Sequence, residues 1–195
     1  MKNIIIVVFV AVTLIGCGSG RITTLEKDQN EAIVVGRLTI TNDGEDISNK
    51  SNILFDERTW ATYAVWPDDN NYIYLKLPIG KHFIAFLQHS GYNKNFPDDY
   101  AVIELPESKI YYIGDLTIIL HLSESDEAKT GIAGAVEDIN KEVEKIPIDV
   151  SDNYDTTIKY FNQKFNNTVI IEKSLLQLNK YEYNLTSFSA RPFNP

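Results

Sequence analysis

The stretch that decides the fold is YIYLKLPIGKHFIAFLQ, residues 72–88. It contains two apolar runs, Tyr72–Leu77 and Lys81–Gln88, and each has the length of a strand. Between them stands Pro78-Ile79-Gly80, and proline and glycine in such a break are typical of a tight turn. The second run alternates between two faces, as a strand does, with one face made of Phe83, Ala85 and Leu87. The stretch therefore predicts strand, turn and strand.

The same pattern recurs on both sides of this stretch. In Ala32–Thr41, Leu38 and Ile40 share one face while the intervening residues are polar. Turn signals return every 8 to 12 residues, which favours an all-β sandwich over a parallel α/β sheet. We therefore predict a mainly β fold, an antiparallel Ig-like or transthyretin-like sandwich over residues 32–122. The further predicted strands are Asn52–Asp56, Thr59–Trp66, Tyr100–Leu105 and Ile110–Leu122, and His89–Asp99 is predicted as the longest polar loop.

Residues 72–87 resemble the strand-turn-strand of transthyretin-like, carboxypeptidase-regulatory-like modules. Leu77-Pro78-Ile79-Gly80 carries that resemblance, and with Gly36–Ile40 as a first strand it covers residue 32 to about residue 122. The resemblance implies a sandwich of seven or eight strands that serves as an accessory binding or spacer unit without catalysis. Ile110–Leu116 resembles a motif of uncharacterised bacterial envelope lipoproteins, a group for which no activity is implied.

Residues 123–195 are predicted to form an extension that packs on the sandwich. Ser123–Ile139 is charged and contains glycine, which is typical of a mobile excursion. An amphipathic helix is predicted over about residues 152–166, capped by Ser151 or Asp152. Its apolar face is Tyr154, Ile158, Phe161 and Phe165. Thr168–Leu178 is predicted as a final strand, followed by a loose tail.

The N-terminus has a short positive region, Met1-Lys2-Asn3, followed by an apolar run, Ile4–Ile15. The end of this run belongs to the stretch Leu14-Ile15-Gly16-Cys17. Twelve helical residues span only about 18 Å, whereas a bilayer core of about 30 Å needs about 20 residues. The run therefore has the length of a signal peptide. The four residues ending in Cys17 resemble the lipobox of bacterial lipoproteins. The resemblance implies removal of residues 1–16 and acylation of Cys17, including palmitate. Residues 18–31 begin Gly/Ser-rich and end polar, so residues 17–31 are predicted to form a flexible lipidated tether.

Charge and cysteine content narrow the class of protein further. The formal net charge is −9, so neither nucleic acid nor an anionic lipid surface is an expected partner. Attachment to the membrane must then come from the acyl chains. Cys17 is the sole cysteine, which leaves no thiol for a disulfide, a thiolate metal site or a nucleophile. Gly18 in place of the Asp that retains lipoproteins at the inner membrane favours the outer membrane, if the cell has two.

Candidate metal ligands are few and poorly spaced. His82, His89 and His121 show no metal-ligand spacing, so they are interpreted as ordinary buried or surface residues. Asp68-Asp69-Asn70-Asn71 and Pro97-Asp98-Asp99-Tyr100 offer the oxygen atoms that calcium prefers, but without the spacing of an EF-hand loop. Turns favour the same residue types for backbone reasons.

Candidate catalytic motifs are equally weak. Ser90 lies beside His89 but not in a Gly-x-Ser-x-Gly elbow, and Gly131–Ala135 lacks the lysine of a phosphate-binding loop. No pair among the 27 acidic residues stands out as a glycosidase pair.

Aromatic residues concentrate between residues 60 and 96. We interpret most of them as core residues, and those of the His89–Tyr100 loop as exposed. The aromatic residues are Trp60, Tyr63, Trp66, Tyr72, Tyr74, Tyr92 and Phe96.

These observations favour a lipid-anchored protein of the bacterial cell envelope that acts as a non-catalytic binding or structural module. Cys17 is its one assigned site, no catalytic or metal residue is assigned, and no cofactor is expected. The membrane is a predicted partner through the acyl chains, with an envelope protein or a glycan as a further partner. The alternatives are an envelope hydrolase with a site built from non-adjacent residues and a carbohydrate-binding module. A carbohydrate-binding module predicts two or more coplanar exposed aromatic side chains.

Overall fold

The structure is a computed structural model, and it describes residues 22–56, 63–90, 92–97, 100–122, 148–166 and 168–179. Within these ranges the chain forms twelve strands, a 3-10 helix (Ser48–Lys50) and one α-helix, α1 (Tyr154–Phe165). Cys17, the predicted signal peptide, Ser123–Ile139 and the C-terminal tail lie outside the described residues. In chain order the strands are β1 (Glu31–Asn42), β2 (Glu45–Asp46), β3 (Ser51–Phe55), β4 (Tyr63–Val65), β5 (Tyr72–Pro78), β6 (Gly80–His89), β7 (Tyr92–Asn95), β8 (Ala101–Leu105), β9 (Ile110–Leu120), β10 (Ile148–Ser151), β11 (Glu172–Lys173) and β12 (Gln177–Leu178).

The strands form two mainly antiparallel sheets, so the predicted β-sandwich is confirmed. The first sheet has the order β10-β9-β1-β2, with β5 also paired to β1 and β11 to β9. The second has the order β12-β8-β6-β3-β4, with β7 also paired to β6. Between the sheets lies the inner core, an apolar cluster that includes Leu38, Ile53, Ile84 and Leu116.

The Pro78-Ile79-Gly80 turn joins strands of different sheets. β5 pairs with β1, whereas β6 pairs with β3, β7 and β8. Gly80 has a φ of 136°, a conformation that glycine adopts without the strain a Cβ would bring. The strand-turn-strand stretch is therefore an arch between the two sheets and not a hairpin.

The residues of β1 show how the sequence pattern sets the layers. Leu38 and Ile40 face the inner core, as predicted. On the opposite face, Ile33 and Val35 are buried, whereas Arg37 is exposed. This face changes from apolar to polar because α1 covers only its first half.

Helix α1 packs on the outer face of the first sheet and makes a third layer. The predicted apolar face of the helix is the one that packs, and Phe161 is only 2% exposed. The N-cap is Asn153 and neither of the predicted caps, Ser151 and Asp152, although Asp152 Oδ1 accepts a hydrogen bond from the backbone N–H of Tyr154. The apolar cluster between α1 and the first sheet is called the outer core. It contains Ile33, Val35, Tyr74, Ile110, Tyr112, Phe161 and Ile171, with Tyr154, Ile158 and Phe165 packed against it.

A buried carboxylate, Asp115 on β9, fixes the start of α1 to the sheet. Its Oδ1 accepts hydrogen bonds from Tyr112 Oη (3.0 Å) and Thr157 Oγ1 (3.2 Å), and its Oδ2 accepts one from Asn153 Nδ2 (3.2 Å). Burial, together with the negative charge of Asp115, raises the pKa of the Tyr112 phenol. Tyr112 therefore stays a neutral donor to this carboxylate.

Residues 22–30, which the sequence places in the tether, lie against the sandwich. Ile22 and Leu25 pack on the outer core. Lys27 Nζ donates hydrogen bonds to the carbonyl oxygen (2.7 Å) and the hydroxyl (3.0 Å) of Ser108. The chain is thus attached to the domain from Ile22 onward, and β1 begins at Glu31.

The prediction of one final strand over Thr168–Leu178 is wrong. Only β11 and β12 form there, and they belong to different sheets: β11 runs parallel to β9, and β12 antiparallel to β8. Leu176 lies between them and is buried in the inner core. A short apolar run stands on each side of this crossing, at residues 169–171 and 175–176, so the sequence gives no sign that the chain changes sheets.

The prediction of one long loop over His89–Asp99 is also wrong, because it contains β7, which pairs with β6. Phe96, expected to be exposed, is 7% exposed and lies in the inner core. Its backbone N–H donates to the carbonyl of Ala85 (2.8 Å), which draws the end of β7 onto the sandwich. Of the predicted strand Thr59–Trp66, only Tyr63–Val65 is a strand among the described residues.

Regular alternation along β6 fails at Ala85. Leu54 pairs with Phe86, and Phe55 pairs with Ile84, so Ala85 is an extra residue in a β-bulge. Ile84 and Leu87 therefore both reach the inner core although they are three residues apart.

Candidate functional site

A polar cleft with a volume of about 610 Å³ opens on the first sheet beside α1. It forms because β5 and β2 share one edge of β1 without meeting. β5 pairs with β1 as far as Arg37, and β2 pairs with it from Thr41 on. The lining residues come from β1, β2, the 3-10 helix, the turn before β5 and α1: Arg37, Asp46, Asn49, Asp69, Asn70, Asn71, Tyr72 and Tyr160.

Two stacked tyrosines line the cleft where α1 meets the sheet. The rings of Tyr72 and Tyr160 are nearly parallel, with centroids 3.9 Å apart, and the Cζ atom of Arg37 lies 6.0 Å from the centroid of the Tyr72 ring. Ring stacking and a guanidinium near a ring are both favourable. Each ring covers a face of the other, so this pair is not the coplanar exposed platform expected of a carbohydrate-binding module.

Asp68 holds the turn that lines the cleft. Its Oδ1 accepts hydrogen bonds from the backbone N–H groups of Asn70 and Tyr72, both at 3.0 Å. Its Oδ2 accepts hydrogen bonds from Tyr160 Oη at 2.6 Å and Lys164 Nζ at 3.0 Å. Burial alone would raise the pKa of Asp68, but these donors outweigh burial and lower the pKa below its usual value. Asp68 is thus an ionised link between the turn and α1.

Asp46 lies on β2, across the gap between β5 and β2 along the edge of β1. Its carboxylate is also fixed by hydrogen-bond donors. It accepts hydrogen bonds from the backbone N–H (2.9 Å) and the hydroxyl (2.5 Å) of Ser48 and from Asn71 Nδ2 (2.9 Å). Burial opposes ionisation, but these bonds and the charge of Arg37 together lower the pKa of Asp46. Among the described residues, the guanidinium of Arg37 has no hydrogen-bond or ion-pair partner.

The chemistry of the cleft is that of hydrogen bonding. Its lining holds two carboxylates, three amides, two phenols and one guanidinium. Because the pKa of Asp46 is lowered and those of Tyr72 and Tyr160 are raised by burial, Asp46 accepts and the phenols stay protonated at neutral pH. Such a lining suits a polar ligand that both donates and accepts hydrogen bonds.

The structure does not bring the three histidines together. His82 and His89 lie seven residues apart on β6, about 20 Å along the strand, and His121 follows β9 in the other sheet. His121, exposed, pairs with Asp43 at 2.7 Å. The described part of the chain holds no group of three or more histidine, cysteine or acidic side chains arranged to bind a metal.

His82 is buried and forms an ion pair with Asp56. Its Nδ1 contacts Asp56 Oδ2, and its Nε2 donates to the carbonyl oxygen of Pro78 (2.7 Å). Burial disfavours the charged imidazole, but the hydrogen bond and charge of Asp56 outweigh it and raise the pKa of His82. The ring therefore connects the end of β3 to the arch between the sheets.

His89 contacts a serine, but with the wrong polarity for nucleophilic catalysis. Ser51 Oγ donates to the carbonyl oxygen of Ile47 (2.8 Å) and lies 2.8 Å from His89 Nδ1. Because a hydroxyl has one proton, Nδ1 must be the donor to Ser51. His89 therefore does not take a proton from Ser51 in this arrangement.

The other candidates have the following positions. Asp68, in the turn considered as an alternative calcium site, has both oxygens occupied by protein donors, and Asp98-Asp99 lie outside the described residues. Tyr74 is buried, Tyr63 is half-buried and Trp66 is 40% exposed. No helix in the described ranges is long and apolar enough to cross a bilayer.

The sequence indicates the turn that lines the cleft but not the other lining residues. Asp68–Asn71 were considered as oxygen ligands and Tyr72 as one of the clustered aromatic residues. No functional role was predicted for Arg37, Asp46, Asn49 or Tyr160. One signal was present: Arg37 is the first polar residue on a face that begins with Ile33 and Val35. Tyr160 gave no signal, since it lies beside the apolar stripe of α1 and not in it.

No family model matches this chain, and no curated protein matches it. Among solved structures, a DUF3823 family protein from Parabacteroides merdae is similar to 48% of this chain, with 12% identity and a TM-score of 0.27. A leucine-rich repeat protein from Bacteroides thetaiotaomicron is similar to 49% of it, with 10% identity and a TM-score of 0.28. The chain spans 47% of the length of the first protein and 12% of the second.

Proposed function

We propose that this protein is a lipid-anchored, non-catalytic binding module of the bacterial cell envelope, and that the polar cleft is its ligand site. The observation that carries this proposal is the environment of Arg37. Its guanidinium faces an open cleft, close to the Tyr72 ring, without a hydrogen-bond or ion-pair partner among the described residues. Asp46 and Asp68, in contrast, are engaged in holding the surrounding turns.

The lining favours a neutral, hydroxyl-rich ligand such as a segment of a glycan, held by hydrogen bonds and not by the aromatic platform that the cleft lacks among the described residues. Vicinal hydroxyl groups both donate and accept hydrogen bonds, and arginine, asparagine and aspartate side chains match both roles. Anionic ligands are disfavoured because Asp46 and Asp69 outnumber Arg37 in the cleft and the chain is acidic. A metal cation is disfavoured because Arg37 lies among the same oxygen atoms.

Binding is tested on a glycan array, followed by titration calorimetry with the glycans retained. Arg37→Ala is expected to abolish retention, and Arg37→Lys to weaken it, because an ammonium keeps the charge but loses the planar fork of donors. Lys159→Ala, which removes an exposed cation outside the cleft lining, is the matched control. Equal retention by wild type and Arg37→Ala would place the binding site elsewhere.

The anchor is supported by the sequence alone. Ile4–Ile15 has the length of a signal peptide, and Leu14-Ile15-Gly16-Cys17 resembles a lipobox. In cells given labelled palmitate, the wild-type protein is expected to take up label and to sediment with membranes, in the outer-membrane fraction if there are two membranes. Cys17→Ser should lose the label. Label that persists in Cys17→Ser would refute lipidation at this residue.

A further inference from the structure

Residues 22–30, here called the N-terminal segment, contact one end of the sandwich through residues 27–30. Besides the contacts of Lys27 with Ser108, the Ser108 hydroxyl donates to the carbonyl of Asp28 (3.0 Å), and the N–H of Ile79 donates to the carbonyl of Asn30 (2.9 Å). The segment is therefore tied to the β8–β9 turn and to the arch between β5 and β6.

The pairing of the strands places the β8–β9 turn and the β5–β6 arch at the same end of the sandwich. Glu31, the first residue of β1, pairs with Pro78, and Ile33 pairs with Ile110 near the start of β9. Gly80 pairs with Leu105 at the end of β8. The opposite end carries the connection between β1 and β2 and the end of β9.

The remaining chain to Cys17 is short. Four residues, Gly18-Ser19-Gly20-Arg21, separate it from Ile22. Five residue steps span at most about 18 Å. The headgroup layer on one side of a bilayer is itself about 5–8 Å thick. Lipidation of Cys17 would thus hold this end of the domain at the membrane surface.

The same end exposes isoleucine. Ile170 is 89% exposed, although its neighbour Ile171 is 4% exposed in the outer core. Pairing of Glu172 with Tyr111 locates this segment near the start of β9. Ile79, at the tip of the arch, is 40% exposed.

Charge at this end does not favour an anionic surface. Lys109 is paired with both Glu107 (2.8 Å) and Glu172 (2.7 Å), so its cation is already neutralised. Contact with a membrane would depend on apolar side chains and on the tether, and not on electrostatic attraction.

We propose that this end of the sandwich rests on the lipid bilayer, with Ile170 inserted among the headgroups and Ile79, at the tip of the arch, facing the same surface. The proposal rests on the lipid anchor of the proposed function. The polar cleft then lies away from the membrane, because the pairing of Arg37 with Tyr72 and of Thr41 with Asp46 places it toward the other end of β1.

The test uses the full lipidated protein in vesicles of phosphatidylethanolamine and phosphatidylglycerol. With Cys17 acylated, Ile170→Cys introduces a single free thiol, which is labelled with an environment-sensitive fluorophore. Ile119→Cys is the matched control, since Ile119 is 42% exposed and pairs with Thr41 at the far end. The label at residue 170 is expected to shift to shorter wavelength and to be quenched by iodide several-fold less than the label at residue 119.

Flotation of the vesicles separates the two proposals. Protein that floats with both labels equally quenched would overturn contact with the bilayer and leave the anchor intact. Protein that does not float would refute the anchor, and the bilayer contact with it. In the unlipidated Cys17→Ser background, without vesicles, the label at residue 170 is expected to be fully accessible to iodide.

Discussion

Replacement of Asp68 by asparagine tests the link between the cleft and α1. Asparagine has nearly the shape of aspartate, and its carbonyl oxygen is able to keep the hydrogen bonds from the backbone N–H groups of Asn70 and Tyr72. Its amide nitrogen would instead face Tyr160 Oη and Lys164 Nζ, both of which donate to Asp68 in the wild type. The substitution therefore removes the bonds to the helix and leaves the turn largely intact.

The expected cost follows from these two bonds. Hydrogen bonds to a charged group are worth about 1.5–3 kcal/mol each. Asp68 is 4% exposed, but the Lys164 side chain is 33% exposed, so solvent screening reduces its share. We expect Asp68→Asn to lower the free energy of unfolding by about 2–4 kcal/mol. With a urea dependence of about 2 kcal/mol per molar, the unfolding midpoint should fall by about 1–2 M.

The assay is urea unfolding of the chain from residue 17 with Cys17→Ser, followed by circular dichroism. The pKa of Asp68 is lowered in the folded protein, so its contribution is complete above the usual pKa of 3.8 and is lost as pH falls through the folded pKa. The difference between wild type and Asp68→Asn should shrink over that range. Asp149→Asn, an exposed aspartate on β10, is the control. A cost for Asp68→Asn below about 0.5 kcal/mol, the range of ordinary surface substitutions, would refute this account.

Three further predictions concern the core and the buried ion pair. Gly36→Ala should destabilise the protein by about 1–3 kcal/mol, as overpacking does, because a Cβ there would lie 2.5 Å from the carbonyl oxygen of Gly114; an unchanged urea midpoint would contradict it. Phe161→Ala should cost about 3–5 kcal/mol and reduce helix signal before the sheets unfold, since this ring is 2% exposed in the outer core. The raised pKa of His82 means that its contact with Asp56 stabilises the fold fully below pH 6.5 and loses that effect as pH rises through the folded pKa. The stability difference between wild type and His82→Gln should therefore decrease with rising pH, and a difference that grows would show the opposite linkage.

Apolar runs separated by turn residues were enough to predict the sandwich, because most of its longer strands are marked locally in this way. The pattern in β1 even records the edge of α1, where apolar Ile33 and Val35 give way to Arg37. What alternation does not contain is the identity of the partner strand. The crossing at Leu176 and the bulge at Ala85 arise from pairing between distant segments, so neither could be found along the chain.

The cleft was harder to predict for the same reason. Asp46, Arg37 and Tyr160 become neighbours only because β2 and β5 share one edge of β1 and α1 covers half of its face. The turn around Asp68 was predicted because Asp and Asn cluster there, but neither the turn interpretation nor its calcium alternative indicated that Tyr160 and Lys164 would donate to the same carboxylate. Hydrogen bonds supplied by a helix far along the chain leave no mark in the turn itself.

The parallel pairing of β1 with β9 has a consequence for the time course of folding. Ile33 and Ile110 must meet to form the centre of the first sheet, and pairing across so long a loop is slow. A nascent chain therefore has no complete sheet to close until β9 has been synthesised. If the chain is exported, as proposed above, this delay is useful, because the segment that enters the translocation channel first stays unfolded and able to pass through it. The pairing of β1 with β9 would then delay folding of the sandwich until the chain has crossed the membrane.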